Sequence, residues 1–262
     1  MTDQLDAIVS DIVSNSPSGE ISEVVKDLKV IIGESGEEAI KAAVEKYNIA
    51  NWIPIKLGSE SVIVSDFNKS GTKFYDPKSS QLFSVDHLKR LALDVQPCDK
   101  ELKANELAIY NDLDSYVKNS FANETSCAVY PGESANEIVL IIVGTKYSPA
   151  NFWNGQWKSF YRFNTQSKQL SGSIHVRIHY FEEGNVNFSN DKDVKAENVD
   201  DVASAIKDLE DNWEQEMEKD FFNLNEKEFK LLRRRLPVTR SKINWGKGIG
   251  NYRIGKDSAA SQ

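Results

Sequence analysis

Two histidines, His175 and His179, are four residues apart, a spacing that would let both bind one zinc ion if they lay on a helix. The residues from 174 to 180 instead alternate between apolar and polar, which is typical of a strand. Residues four apart on a strand are about 13 Å from each other, too far to share a metal. We therefore expect a polar or interface role for both and no metal site, and His87 has no evident partner.

Other patterns that carry chemistry are scarce. The sequence contains no nucleophile elbow, phosphate-binding loop, dinucleotide fingerprint or HExxH motif. The adjacent carboxylates Glu182 and Glu183 precede Gly184, so they predict a hairpin turn rather than a general acid and base. We expect a protein that is not an enzyme and that needs no cofactor.

Composition excludes further classes. The chain has 262 residues, 40% of them apolar, and a formal net charge of -8, which argues against nucleic-acid binding. No run reaches the ~18–20 apolar residues of a membrane span, and the acidic N-terminus does not resemble a signal peptide. Cys98 and Cys127 lack metal-site spacing. We predict a cytoplasmic protein with reduced thiols.

Charge is unevenly distributed along the C-terminal third. Residues 182–220 carry 14 acids and 4 bases, whereas residues 227–256 carry 10 bases and 1 acid. Apolar side chains are interleaved with these bases, and three of them, Trp245, Ile249 and Tyr252, share one helical face. This amphipathic basic tail predicts a partner-binding segment, and an acidic protein surface and an anionic membrane are both open as partners.

The elements that must position these residues can be read from periodicity. Apolar residues at three- and four-residue spacing predict three helices in the first fifty residues, and another over 99–120. Short β-rich pieces over 52–85 predict a small irregular β domain. Runs from 127 to 189 predict an antiparallel meander with turns at Gly132, Pro149, Gly155, Gly172 and Gly184.

An aromatic-rich stretch and a long helix complete the pattern. Residues 152–163 are predicted to form a hairpin around a type I′ turn at Asn154-Gly155, with aromatic cross-strand packing favoured over a ligand groove. One apolar stripe predicts a helix over 198–235 that lies across the sheet, with Asp200 and Asp201 in its first turn and Pro237 after its end.

Four stretches resemble the alpha subunits of F-actin capping protein. Residues 178–186 (IHYFEEGNV) resemble the family signature VHYYEDGNV, and residues 229–237 (FKLLRRRLP) resemble FKALRRxLP. Residues 238–245 (VTRSKINW) and 152–159 (FWNGQWKS) are similar to VTRTKIDW and FWNGRWRS. The four occur in the family's order, and the resemblance extends over essentially the whole chain.

The resemblance implies an α+β fold. Its parts would be an antiparallel three-helix stalk at 1–51, a small β domain at 52–98, a linking helix at 99–120, a five-stranded antiparallel sheet at 121–196, a long covering helix at 197–236 and the tail at 237–262. A homologous beta subunit, the obligate partner, would complete the sheet edge to edge.

The resemblance also implies the function: the heterodimer binds actin-filament barbed ends independently of calcium, at cortical actin structures, and blocks subunit addition and loss. Family residues for actin and phosphoinositides fall on Lys230, Arg234 and Arg240. The neighbouring bases and the apolar face of the tail complete the predicted site: Arg233, Arg235, Lys242, Trp245, Ile249 and Tyr252. Capping-protein regulators are further candidate partners.

Two expectations qualify this site. The tail carries three glycines beyond the family's usual pattern, and each costs about 1 kcal/mol of helix relative to alanine. Residues 246–256 are therefore predicted to be less helical than in typical relatives. The alternative function is a phosphoinositide-membrane-binding or scaffold subunit that uses the same basic residues.

Overall fold

A computed structural model describes residues 2–121, 125–182, 186–223 and 226–227. The chain divides into two compact units, residues 1–207 and 208–262. The first unit contains four helices and two sheets, and the fifth helix, α5, begins in it and continues into the second unit. The architecture is therefore α+β, as the sequence predicts.

Three helices occupy the N-terminal fifty residues: α1 (Thr2–Ser14), α2 (Ile21–Ile32) and α3 (Glu37–Ala50). Their spacing of apolar residues builds one core, because one stripe from each helix is buried in the same cluster. Pro17 and Gly19 separate α1 from α2, and Gly19 adopts a φ of 91° that side chains other than glycine rarely allow. The prediction of three helices here is correct.

A six-stranded sheet follows, with the strand order β2-β1-β6-β5-β4-β3. Its strands are β1 (Pro54–Leu57), β2 (Glu60–Ile63), β3 (Lys69–Ser70), β4 (Lys73–Asp76), β5 (Gln81–Asp86) and β6 (Leu91–Pro97). The strands are short because Gly58 and Gly71, both at positive φ, turn the chain. His87, which showed no partner in the sequence, accepts hydrogen bonds from Asn48 at 3.3 Å and 2.9 Å and meets Phe74 edge-on.

Helix α4 (Ala104–Ser120) starts five residues later than predicted, because the carboxylate of Glu106 accepts a hydrogen bond from the Lys103 backbone N–H at 2.9 Å and so caps the helix there. The second sheet then runs β11-β10-β9-β8-β7 and is antiparallel throughout. Its strands are β7 (Thr125–Pro131), β8 (Glu137–Ser148), β9 (Trp153–Asn164), β10 (Gln169–Tyr180) and β11 (Val186–Ala196).

Two predicted turns need correction. Asn154 and Gly155 lie inside β9, so residues 153–163 belong to one strand and form no hairpin, and Gly172 lies inside β10. The turn predicted at Pro149 is confirmed, since the chain turns there through a short 3-10 helix at Pro149–Asn151, followed by Phe152 at a φ of 55°. Gly172 is needed for close approach rather than for turning, since a Cβ there would lie 2.1 Å from the carbonyl oxygen of Phe160.

Strand β8 is the centre of the core. Its residues from Ile138 to Gly144 are buried consecutively, so both faces of the sheet are covered at this strand. Val139, Ile141 and Val143 pack with Ile63 and Tyr130, which joins the sheet to the six-stranded sheet. The uninterrupted antiparallel meander confirms the prediction of a five-stranded antiparallel sheet.

Helix α5 (Val202–Asn223) begins four residues later than predicted. Asn198 has a φ of 56°, and the Asp201 carboxylate accepts a hydrogen bond from the Ser204 backbone N–H at 2.9 Å. Asp201 is therefore the N-terminal cap of the helix rather than part of its first turn. Residues 226–227 are also helical, and the rest of the predicted continuation to residue 236 lies outside the described residues. The placement of the helix across the sheet stays a prediction.

Candidate functional site

The predicted actin-binding residues lie outside the described part of the chain. This holds for all nine: Lys230, Arg233, Arg234, Arg235, Arg240, Lys242, Trp245, Ile249 and Tyr252. The predicted reduced helicity of residues 246–256 concerns the same region. The site that the structure does describe is the predicted partner surface of the five-stranded sheet.

Strand β11 forms one edge of that sheet. It pairs with β10 without interruption, from Leu170↔Ala196 to Tyr180↔Val186. Its other side has no paired strand among the described residues. Eleven residues of edge strand present a row of backbone N–H and C=O groups, which is a template for pairing with another chain.

The side chains of β11 are mostly exposed or half-buried, with Val194 as its buried residue. Val186 is 60% exposed at the start of the strand, a large fraction for an apolar side chain. Asp191, Lys192, Asp193 and Lys195 alternate in sign along the second half. A partner strand would therefore meet an apolar start and a charged end, which specifies its register.

His175, Arg177 and His179 of β10 point to one side of the sheet, which we call the histidine face. The register places them beside β11 residues in the pairs His175↔Asp191, Arg177↔Ser189 and His179↔Asn187. On their other side they meet Lys158, Gln156 and Asn154 of β9. The strand assignment is as predicted, and no His/Cys/Asp/Glu group that could hold a metal occurs within the described residues.

His175 lies between two polar partners in an arrangement that resembles a hydrolytic triad. Its Nδ1 is 2.8 Å from the Asp191 carboxylate, and its Nε2 is 3.1 Å from the Ser173 hydroxyl. Strand β10 lies between β9 and β11, so its backbone N–H groups serve the sheet instead of stabilising an oxyanion. The side chains of His175 and Asp191 are 40% and 64% exposed, so the pair is a surface contact.

The aromatic stretch of β9 serves packing. Phe160 stacks on Phe67 with ring centroids 5.3 Å apart, and Trp157 meets Phe121 edge-on at 5.5 Å. These contacts favour the packing interpretation over a ligand groove. They join β9 to the connection after β2 and to the end of α4, not to a facing hairpin strand.

Lys158, in the same stretch, was not singled out by sequence reasoning. Its Nζ donates a hydrogen bond to the Ala50 carbonyl oxygen at 2.6 Å and lies 4.1 Å from the Trp52 ring centroid. Burial and, to a lesser extent, the charge of Arg177 lower the pKa of Lys158 to about 8. The tertiary contact with the end of α3 is what buries this lysine and lowers its pKa.

The first connection of the chain covers the end of the histidine face. The carboxylate of Glu20 accepts a hydrogen bond from the amide of Asn154 and lies 3.8 Å from His179 Nδ1. Beside it is a cavity of about 210 Å³ between residues 14–18 and the sheet, lined by Arg177, Asn187 and Ser189 among others. This cavity opens beside the edge strand.

The two cysteines are free thiols. Burial raises the pKa of Cys127 to about 12, so its thiol is protonated and unreactive at neutral pH. Within the described residues, no helix combines the length and the apolar character of a membrane span.

Comparison with known proteins assigns the chain to a family. A family model described as F-actin capping protein alpha subunit matches residues 9–257. The F-actin-capping protein subunit alpha of Saccharomyces cerevisiae is 47% identical over 261 residues, covering 98% of this chain and 97% of the relative. The corresponding subunit of Candida glabrata is 45% identical over 259 residues and covers 99% of each chain.

The chain belongs to the F-actin capping protein alpha subunit family. The solved structure of the homodimeric actin capping protein alpha subunit from Plasmodium berghei has the same fold, with a TM-score of 0.73 at 24% identity. The alignment covers 92% of this chain and 100% of that one.

The sheet brings two of the family-like stretches together. Residues 152–159 lead into and begin β9, whereas residues 178–186 end β10 and begin β11. The register pairs Trp153 with Tyr180 and Asn154 with His179, so the two stretches lie side by side. In this capping-protein alpha chain they form the end of the sheet beside Glu20 and the edge strand.

Proposed function

We propose that this chain is the alpha subunit of a heterodimeric capping protein that binds the barbed ends of actin filaments. The exposed edge strand β11 is the observation that supports the dimer, since a homologous beta subunit could pair with it and continue the sheet. The two subunits would then form one ten-stranded sheet, as the family resemblance implies.

The three N-terminal helices support a second contact with that subunit. Ile8 and Ile12 of α1 are 58% and 43% exposed, and they lie four residues apart on one side of the helix. A partner helix would bury them, which supports assignment of α1 to α3 as half of a stalk. The heterodimer would be obligate, because the exposed apolar residues of the helices and the open sheet edge each favour aggregation of an isolated chain.

Capping itself is assigned to the basic tail. Lys230, Arg234 and Arg240 would form charge-assisted hydrogen bonds with actin carboxylates, with Arg233, Arg235 and Lys242 as neighbouring cations. Trp245, Ile249 and Tyr252 would bind an apolar groove. Binding is stoichiometric and blocks subunit addition and loss, so it requires neither turnover nor calcium, and it acts in the cytoplasm at cortical actin.

Seeded actin elongation with the co-expressed heterodimer tests this function. We expect wild-type complex to stop barbed-end growth at a substoichiometric ratio to actin monomer, equally in calcium and in EGTA. Arg234→Ala with Arg240→Ala should weaken capping, and the difference should shrink as salt rises because screening removes the contribution those charges make. Undiminished capping by the folded double variant would contradict the site.

A matched control removes two cations elsewhere. Lys26 and Lys29 are exposed on α2, so Lys26→Ala with Lys29→Ala makes the same change in net charge outside the tail. This variant should cap as the wild type does. Equal losses in both double variants would show a general charge effect instead of a tail site.

The same tail supports the alternative, a phosphoinositide-binding or scaffold subunit. Its bases could bind phosphoinositide headgroups on a membrane surface. Co-sedimentation with phosphoinositide vesicles distinguishes the two functions. Binding that actin filament ends do not reduce, together with absent capping, would favour the alternative.

A further inference from the structure

Arg177 is a cation on the histidine face that lacks a carboxylate partner in the described chain. Two of its neighbours on that face have clear partners, since His175 contacts Asp191 and Lys158 binds the Ala50 carbonyl oxygen. His179 lies 3.8 Å from Glu20. No ion pair joins Arg177 to any of the described carboxylates, although it is close enough to lower the pKa of Lys158.

The residues between Arg177 and the exposed side of β11 are small enough for the arginine side chain to extend over them. The register places Ser189 directly beside it on β11, and Asn187 precedes Ser189 on the same face. Both are small polar residues, and both are exposed. The cavity of about 210 Å³ lies between these residues and residues 14–18.

A strand that pairs with β11 would lie two strand spacings from β10. At about 4.8 Å per spacing, the backbone of the partner strand is roughly 10 Å from that of Arg177. The long arginine side chain can extend over Ser189, and an acidic side chain on the same face can extend back towards it. Lysine has a similar reach, whereas the shorter histidine side chain could not meet a partner residue in this way.

Pairing would also make an ion pair necessary. Arg177 is exposed in the isolated chain, and partner side chains that extend over Ser189 on the same face would cover it. A buried charge without a counter-charge strongly destabilises an interface, because it loses its hydration without compensation. A cation at this position therefore requires an anion from the partner.

We propose that the partner subunit's pairing strand carries an aspartate or glutamate opposite Ser189 or Asn187, and that its carboxylate forms an ion pair with Arg177 across β11. This inference rests on the proposed heterodimer and adds the chemistry of its interface. A carboxylate opposite Asp191 is excluded from this role, since like charges facing each other are destabilising. The pair fixes the register of the two edge strands.

Subunit exchange in the co-expressed heterodimer tests the ion pair. We expect Arg177→Glu to speed dissociation of labelled subunits at least tenfold and Arg177→Lys to stay within about threefold of wild type. Lys146→Glu is the control, because Lys146 is exposed on β8, three strands from β11, and undergoes the same charge change. It should exchange at the wild-type rate.

A charge swap identifies the counter-charge. Each acidic residue of the partner's pairing strand is replaced by lysine and combined with Arg177→Glu. One combination should lengthen the lifetime of the dimer at least fivefold relative to Arg177→Glu alone. Wild-type exchange by Arg177→Glu, or the absence of any restoring combination, would overturn the ion pair while leaving the heterodimer intact. Failure of the wild-type subunits to associate would instead overturn the proposed function itself.

Discussion

The two edges of the five-stranded sheet differ in how they are covered. Strand β7 is short, and α4 and β2 both contact it within the same unit. Its residues Val129 and Tyr130 are 2% and 1% exposed. Strand β11 is eleven residues long, and among the described residues it pairs with β10 alone.

This difference supports β11 as the place where the proposed partner subunit pairs. An edge covered by its own helix satisfies its backbone and apolar groups during folding of the chain. An exposed edge of eleven residues instead favours pairing with another chain, and natural proteins protect such edges by charges or by assembly. The alternating charges of β11 would limit nonspecific pairing with other chains.

The largest effect is expected from a substitution in β10, the strand that pairs with the edge strand β11. Gly172→Ala would place a Cβ 2.1 Å from the Phe160 carbonyl oxygen and 2.6 Å from Tyr161 Cδ1. Relief requires β9 and β10 to separate, so we expect a loss of about 3 kcal/mol in the free energy of unfolding, measured by urea denaturation of the complex. Because β11 pairs with β10 alone among the described residues, we expect separation of β9 from β10 to detach β11 from the sheet as well.

Gly155→Ala is the matched control on the neighbouring strand. Its Cβ would approach a ring atom of Trp153 at 3.3 Å, and that side chain can shift. We expect a change of less than about 1 kcal/mol. Equal losses at Gly172 and Gly155 would show that close approach of β9 and β10 is not the cause.

A second prediction compares the two edges directly. Val186→Asp on β11 should weaken subunit association at least tenfold, about 1.4 kcal/mol, since this exposed valine would become buried against the partner. Pro131→Asp makes a similar change at an exposed residue of β7 and should alter the affinity by less than twofold. Equilibrium binding of labelled subunits measures both, and equal effects would contradict the assignment of β11 as the interface.

A third prediction concerns the covered part of the histidine face. The pKa of Lys158 is about 8 in the folded chain, below its ordinary value of 10.5. Between pH 8 and pH 10.5 the unfolded chain therefore keeps this proton, whereas the folded chain has lost it. The free-energy cost of burying the charged amine is complete below pH 8 and disappears as pH rises towards 10.5. The thermal midpoint of the wild-type complex should rise relative to Lys158→Met between pH 8 and pH 10.5, and a constant difference would contradict the lowered pKa.

The smallest effect is expected at the exposed part of the same face. Asp191→Asn removes the carboxylate that lies 2.8 Å from His175. Because both side chains are largely exposed, we expect the free energy of unfolding to change by less than about 0.5 kcal/mol. A loss above 1 kcal/mol in urea denaturation would show that this pair is more than a surface contact.

Much of the fold could be predicted because its elements have strong periodicity. The three N-terminal helices, the apolar run of β8 and the alternation in β10 each imply one element and one buried side. The family resemblance then named the alpha subunit, which the family model and the relatives confirm. The domain boundaries and the nine tail residues stay predictions.

The errors arose where a local signal competed with long-range pairing. Asn154-Gly155 is a strong hairpin signal by itself, yet β9 pairs along its full length with both β8 and β10. Twelve-residue ladders on both sides outweigh the preference of a dipeptide for a turn. Helices α4 and α5 begin later than predicted because the capping carboxylates of Glu106 and Asp201 determine where each helix starts.

The sequence alone determined the three N-terminal helices, the strand character around the two histidines and the opposite charges of the C-terminal segments, because each depends on residue type and spacing. Only the tertiary structure decided that β11 is the exposed edge, that Lys158 is covered by the end of α3, and that Arg177 lies beside Ser189 without an ion pair in the described chain. These properties depend on which distant segments meet, and residue spacing carries no information about that.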